Sequence, residues 1–387
     1  MAAPTPRFSI LILGSTGAFG ARIAGLLSRD TVFDLTLAGR TRATLEAQAD
    51  TLSKSTGRPV SIAVLDAERI TADDLAPLDV RLVINASGPY REGRYGLARA
   101  AIAAGCHYID LADSRPFVVG FGTLDDEARA AGVLAVSGAS SVPGLSSAVV
   151  AHHRDVFAAL RVVDIAISPG NAFDPGVATV ASVLGGVGQP MRMLRDGEWR
   201  TVYGWQGLRR LRFGAAGRRW LGYVNVPDLE ILPAHGVSIE TVRFQAGLEV
   251  SLFHLGLWCA SWLVRWRLVS SLEPLAPRLL AIKRKLHRLG SDRGGMTVKM
   301  RGLGRDGRPK AITWLLVAKR GHGPYVPALA AVALARRLAS EAETRRGAMP
   351  CHGIVPLADI LAEAKHLDIT CTEKENPSRT SAGGDAG

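Results

Sequence analysis

The sequence predicts an α/β protein: an N-terminal Rossmann fold with a doubly wound parallel sheet, followed by a second, α+β substrate domain. Three observations carry this. Short apolar runs alternate with helical patterns up to about residue 140, the signature of βαβ units. The first run ends in a glycine-rich loop, and beyond Pro143 the rhythm changes to longer segments punctuated by Gly and Pro.

Taken in order, strands are expected at Ser9–Leu13, Asp34–Leu37, Val60–Leu65, Leu82–Asn85, His107–Asp110 and Val133–Val136. Helical patterns fill the gaps at Ala18–Ser28, Arg42–Leu52, Gly93–Ala104 and Leu124–Ala131. Together they make a dinucleotide-binding domain over residues 1–144. The second domain, 145–371, opens with a helix at Leu145–His153 and a strand at Leu160–Ile167. Strand-like runs follow at Val237–Phe244, Met296–Leu303 and Ala311–Ala318, with a basic, Trp-rich helical insertion over 252–289. Residues 372–387 are small and polar and read as a disordered tail.

Composition excludes several classes. Hydrophobic residues make up 47% and charged residues 21% of the 387, ordinary for a globular chain. Cys106, Cys259, Cys351 and Cys371 are scattered, which argues against a zinc module or a disulfide framework and fits the reducing cytoplasm. No metal is expected: His152 and His153 are adjacent on a helix and diverge by about 100°. The apolar run Leu252–Val264 is too short to span a bilayer, and the N-terminus has no export-signal pattern. The net charge of +12 is concentrated between Pro190 and Lys310, where 22 Lys and Arg face 9 Asp and Glu. No nucleic-acid-binding signature accompanies that stretch, so a nucleic-acid partner is not expected.

The loop Gly14-Ser15-Thr16-Gly17-Ala18-Phe19-Gly20 joins a predicted strand to a predicted helix. Gly14 permits the tight turn, Gly17 lets backbone N–H groups approach a pyrophosphate, and Gly20 lets the helix pack against the strand. The second strand ends at Ala38-Gly39-Arg40-Thr41-Arg42, where an NAD-specific site would place an acid. Arginine there favours a 2′-phosphate, so NADP is the expected cofactor and NADPH is preferred over NADH; alternatively Arg40 and Arg42 are solvated residues at a helix start. Asp66, ending the third strand, either accepts from the adenine amino group or caps the following turn. The fourth strand delivers Ala86, Ser87 and Gly88 to the nicotinamide side of the crevice, next to Tyr90.

With these segments in hand, the chain resembles the saccharopine dehydrogenase-like oxidoreductases. The matching stretches are Gly14 to Gly20, Ala38-Gly39-Arg40, Val83 to Tyr90, Ala104 to Asp113, Ser140 to Gly144 and Gly321-His322-Gly323-Pro324. The resemblance implies an NADP-type Rossmann domain and an α+β substrate domain; it does not fix the substrate. Short-chain dehydrogenase chemistry is disfavoured, because no tyrosine has lysine four residues on: Tyr90 is followed by Arg94 and Tyr95 by Arg99.

Hydride transfer belongs to the cofactor, and the protein must add a proton donor or acceptor. Tyr90 ranks first for that role, ahead of Asp113 and Ser141, since a neutral phenol can polarise a carbonyl. The function read from the sequence is an NADP-dependent oxidoreductase acting on an apolar or membrane-derived carbonyl or enoyl small molecule. The alternative is a non-catalytic NADPH-binding sensor or a membrane-associated interaction protein. Leu279, Ile282, Leu286 and Leu289 recur at helical spacing opposite Lys283, Arg284 and Lys285. That pattern is either core packing with a solvated basic face, a subunit contact in an oligomer, or a peripheral contact with an anionic membrane.

Overall fold

In the computed structural model, residues 7–235 and 238–377 are described, and they divide into two compact units. The first unit holds β1 (Phe8–Leu13), β2 (Phe33–Gly39), β3 (Ser61–Val64), β4 (Leu82–Asn85), β5 (His107–Asp110) and β6 (Leu134–Ser137). All pair in parallel, in the order β6-β5-β4-β1-β2-β3, and the late strand Gly347–Pro350 adds beyond β6. β1 is buried on both faces, with Ile10, Leu11 and Ile12 inaccessible, which is why its sequence is a continuous apolar run rather than an alternating one.

The first unit recruits sequence from far along the chain. Residues 324–367 belong to it, whereas the sequence places the second domain continuously over 145–371. The cause is twofold. Gly347–Pro350 extends the parallel sheet, with Ala348 opposite Ala135, and the helix Val326–Ala339 is apolar nearly all round. Such a helix must be enclosed, and ten of its residues are buried. A Cβ at Gly144 would stand 3.1 Å from the Ala330 methyl, so this helix lies close against the segment that follows β6.

The second unit is built on a sheet with β7 (Phe157–Ser168) at its centre. Around it are β8 (Pro190–Arg195) and β9 (Glu198–Tyr203), which form a separate hairpin, and β10 (Arg209–Arg212), β11 (Arg218–Tyr223), β12 (Thr241–Ala246), β13 (Gly294–Gly304) and β14 (Pro309–Ala318). The sheet order is β10-β11-β12-β7-β13-β14, closed at one edge by Ile369–Pro377. That strand corrects the expected tail: residues 372–377 pair with β14 from Leu315 to Lys310, and only 378–387 lie outside the described residues. Within the expected strand at Val237–Phe244, Val237 also lies outside them, and β12 begins at Thr241.

The insertion folds as two helices, Ser251–Arg265 and Ala276–Lys285. The expected leucine stripe of the second is rearranged. Leu280 and Ala276 are buried and Leu279 packs on the same core, while Ile282 and Leu289 are exposed. Lys283 turns inward, its Nζ donating to the carbonyl of Asn171 at 2.8 Å and to that of Phe173.

A fragment ending at residue 148 exposes the free edge of β6 and the face that helix 326–339 covers. We expect it to be insoluble or to lack cooperative melting, and co-expression with residues 324–367 to restore a cooperative transition. Cooperative unfolding of the fragment alone, followed by circular dichroism, contradicts this assignment.

Candidate dinucleotide-binding site

The chain reverses its direction across the first sheet between β1 and β4, with β2 and β3 on one side and β4 to β6 on the other. Open α/β sheets bind ligands at the carboxyl ends of the strands where that reversal occurs. Here those ends are Leu13-Gly14 and Asn85-Ala86, tied by an Ala86 N–H that donates to the Leu13 carbonyl at 2.9 Å.

The first and third glycines are required by the protein's own backbone. Gly14 has φ +74°, and a Cβ there would stand 2.9 Å from the Ser87 nitrogen. At Gly20 a Cβ would meet the Gly14 carbonyl oxygen at 2.2 Å, so the helix Gly20–Leu27 can start only against a bare backbone. Gly17 differs: it is exposed, and its nearest neighbour for a Cβ is the Gly14 oxygen at 3.2 Å. Its missing side chain clears the solvent side of the loop at the helix N-terminus, the cradle an anionic diphosphate needs. Thr16 is exposed beside it, and Ala18 and Phe19 are half-buried.

Ser15 has another task. Its hydroxyl is buried and donates to Gln48 Oε1 at 2.9 Å, while Gln48 Nε2 donates to the Ser15 carbonyl at 2.8 Å. Its N–H is directed to the Ala38 carbonyl at 3.3 Å. Ser15, expected from the sequence to contact the cofactor, fastens the loop to the helix Arg42–Thr56 through these two bonds. Gln48 is the partner that the sequence reading missed. Its signal is position: it lies between Leu45 and Ala49, the buried stripe of that helix, where a polar residue needs a specific acceptor and donor. Arg22 adds a second brace by donating to the Ala18 carbonyl.

Arg40 follows β2 directly and is exposed, and no shared ion pair holds it among the described residues. Arg42 faces Glu46 at 3.7 Å, and Thr41 sits at the helix N-cap, its carbonyl accepting from the Thr44 hydroxyl at 2.8 Å. Of the two readings of Asp66, the turn role is visible: its exposed carboxylate accepts from the Glu68 N–H at 3.2 Å.

At the end of β4 a polar network is closed on itself. Asn85 is buried, donating from Nδ2 to the Tyr108 hydroxyl at 3.0 Å and accepting at Oδ1 from the Ser87 hydroxyl at 2.6 Å and the Ser87 N–H at 3.0 Å. Ser87 thus shapes the turn, leaving Ala86 and the exposed Gly88 as its accessible backbone. Tyr90 donates its hydroxyl hydrogen to the Asn85 carbonyl at 2.9 Å, and its ring packs 5.5 Å from that of Phe117. Burial, reinforced by the Asp110 carboxylate, holds its phenol well above the usual value of 10. The phenol expected from the sequence to serve the reaction is thus neutral, with its hydrogen directed to the turn.

Asp110, at the end of β5, is the most constrained acid of the unit. One oxygen accepts from Ala112 N–H at 3.0 Å, the Ser137 hydroxyl at 2.9 Å and Gly138 N–H at 2.8 Å, while the other is buried without a partner. Burial outweighs those bonds and pushes its carboxyl up to about 6. The folded state then keeps this proton to about pH 6, whereas an unfolded aspartate releases it near 4. Between those values the native state binds more protons, so stability falls as pH rises through the window. In urea titrations from pH 4 to 7 we expect Asp110→Asn to remove a decline on the order of 3 kcal/mol. Parallel pH profiles for the two proteins contradict the assignment.

Comparisons with known proteins agree with this geometry. Residues 10–136 match the family model described as the saccharopine dehydrogenase NADP binding domain. A probable mitochondrial saccharopine dehydrogenase-like oxidoreductase of Arabidopsis thaliana is 28% identical over 152 residues, which is 36% of this chain and 34% of that protein. The match thus spans about a third of the length of that curated relative. The apo saccharopine dehydrogenase (L-Glu forming) of Saccharomyces cerevisiae superposes with a TM-score of 0.67 at 16% identity, covering 95% of this chain and all of that one, a likeness of fold. Residues 10–136 thus match the NADP binding domain of saccharopine dehydrogenase, and the fold of the chain is similar to that of the yeast enzyme.

Proposed function

We propose that the chain is an NADPH-preferring oxidoreductase that acts on an apolar carbonyl or enoyl compound. The observation that carries the cofactor choice is Arg40, an exposed cation at the end of β2 where discrimination against a 2′-phosphate would require an acid. Thr16 and Ala18 would hold the diphosphate by backbone N–H across the bare Gly17, whose own N–H donates to the Gly14 carbonyl at 3.0 Å, Arg40 and Thr41 the phosphorylated ribose, and Ala86 and Gly88 the nicotinamide side. When bound, NADPH would supply a hydride to an unsaturated carbon of the substrate. The chain's own part is a rigid, closed floor. With Asn85, Ser87, Tyr90 and Tyr108 bonded to one another, that floor has few polar groups left to reorganise.

The apolar substrate rests on how the second unit uses its arginines. An amino dicarboxylate needs guanidinium groups left over for it. Arg209 is spent bidentately on Asp164 at 2.6 and 2.8 Å, and the buried Arg219 on Glu249 at 2.8 Å. The insertion, where arginines are interleaved with Trp and Leu, supports the same reading.

NADPH oxidation, followed by absorbance against panels of acyl and isoprenoid ketones and enoyl thioesters, tests the activity; no turnover across the panel contradicts it. For the cofactor, Arg40→Asp removes a charge-assisted contact and adds a repulsion, so NADPH affinity should fall on the order of tenfold or more while NADH affinity changes little. Equal losses for both contradict the role of Arg40.

A further inference from the structure

The helix Ser251–Arg265 is apolar outside as well as inside, where Val264 is buried and Leu257 and Ala260 pack on the same core. Its fully buried positions include His254 and Ser261, whereas Leu252 is 73% exposed, Leu263 is exposed, and the following Trp266 is 63% exposed. Leu252, Gly256, Cys259, Leu263 and Trp266 recur at spacings of four and three, so they share one face, and all are exposed. That face carries no charge over about 22 Å of helix.

The inner face also takes two neutral polar side chains. Gly188 comes so close that a Cβ there would meet the Ser261 carbonyl at 2.4 Å, and Ser261 folds its hydroxyl back on the Trp258 carbonyl at 2.6 Å. His254 sits 5.2 Å from the Trp205 ring, and burial lowers its pKa to about 4, so it is a neutral core residue. The interior thus admits these neutral polar groups beside Val264, Leu257 and Ala260, and a helix with its inner face so satisfied would ordinarily carry charges outside. This one carries leucine and tryptophan.

The apolar face does not stand alone. Among the described residues twelve large hydrophobic side chains are exposed, and eight of them lie between Leu252 and Leu289, Leu268 at 70% among them. The same segment holds seven Lys and Arg against one acid, Glu273. Arg267, Arg278, Lys285 and Arg288 are exposed there. No helix of the described residues is long and apolar enough to cross a membrane.

We propose that this segment docks the protein on an anionic lipid bilayer, the Leu252–Trp266 face entering the boundary of the acyl chains and the exposed cations meeting the headgroups. The charge decides the occupant. A second copy of the chain would bring the same excess of cations against itself, whereas an anionic leaflet neutralises it. Tryptophan at such a boundary keeps its indole N–H in the headgroup layer and its ring in hydrocarbon. The docking does not depend on the redox reading, and it would present the protein to apolar compounds held in the bilayer.

Liposome flotation of the full chain tests it, with vesicles of phosphatidylcholine alone and with a third of the lipid replaced by phosphatidylserine. The wild type should float with the anionic vesicles and much less with the neutral ones. Each cation near the surface is worth about fivefold in partitioning, so Lys285→Gln with Arg288→Gln should lose about 25-fold. Leu263→Ser with Trp266→Ser should also abolish flotation, while the thermal transition and NADPH affinity of both double variants stay at wild-type values. Wild type remaining at the bottom of the gradient with anionic vesicles overturns the proposal. So does a wild-type dimer in sedimentation that Leu263→Ser with Trp266→Ser converts to monomer without changing flotation. Loss of NADPH oxidation with retained flotation would instead count against the redox reading alone.

Discussion

The backbone of Gly14 touches two other stretches of the molecule at once, the start of the helix at Gly20 and the turn at Ala86-Ser87. Side chains at either glycine would force these segments apart by more than any rotamer change could absorb, since the obstructing atoms are backbone. Much else follows from that contact. The helix N-terminus is set at the mouth of β1, the turn after β4 is brought alongside, and the exposed Gly17 has only the Gly14 carbonyl oxygen near the position of a Cβ. Gln48 and Arg22 then hold the loop from behind, so its outer edge is free of those structural duties.

The polar network behind β4 and β5 is a second layer of the same design. Buried polar groups are costly unless paired, and Asn85, Ser87, Tyr90 and Tyr108 pair with one another almost completely. The orphan oxygen of Asp110 is the exception, and it explains why that carboxyl holds its proton to about pH 6. Asp110 therefore ties stability in this part of the sheet to pH, while the shape of the turn is held by bonds that do not titrate near neutrality.

The Rossmann unit was legible because its physics is local: β1 to β6 fall at the expected runs, and the glycines of the loop announce their spacing. What was not legible depends on distant partners. Gly347–Pro350 has too few residues to signal a strand, and its place beside β6 comes from pairing across some two hundred residues. Residues 372–377 look like a tail by composition but find a complete partner in β14. Ser15 was expected at the cofactor from its place in the loop and Tyr90 in catalysis from its phenol, and their bonds to Gln48 and to the Asn85 carbonyl depend on partners that the sequence does not mark. The leucines of 279–289 obeyed the helical period, yet the core took Leu280 and left Ile282 and Leu289 outside.

The proposed function requires one site per chain that tells a phosphorylated ribose from a plain one. Isothermal titration of the wild-type protein with NADPH and, in parallel, with NADH measures this directly. Saturable binding of one NADPH per chain, with NADH weaker by a factor that shrinks as salt is raised, is the predicted result, because an exposed arginine acts through a screened charge. Equal affinity for the two cofactors at low salt, or no saturable binding of either, would contradict it.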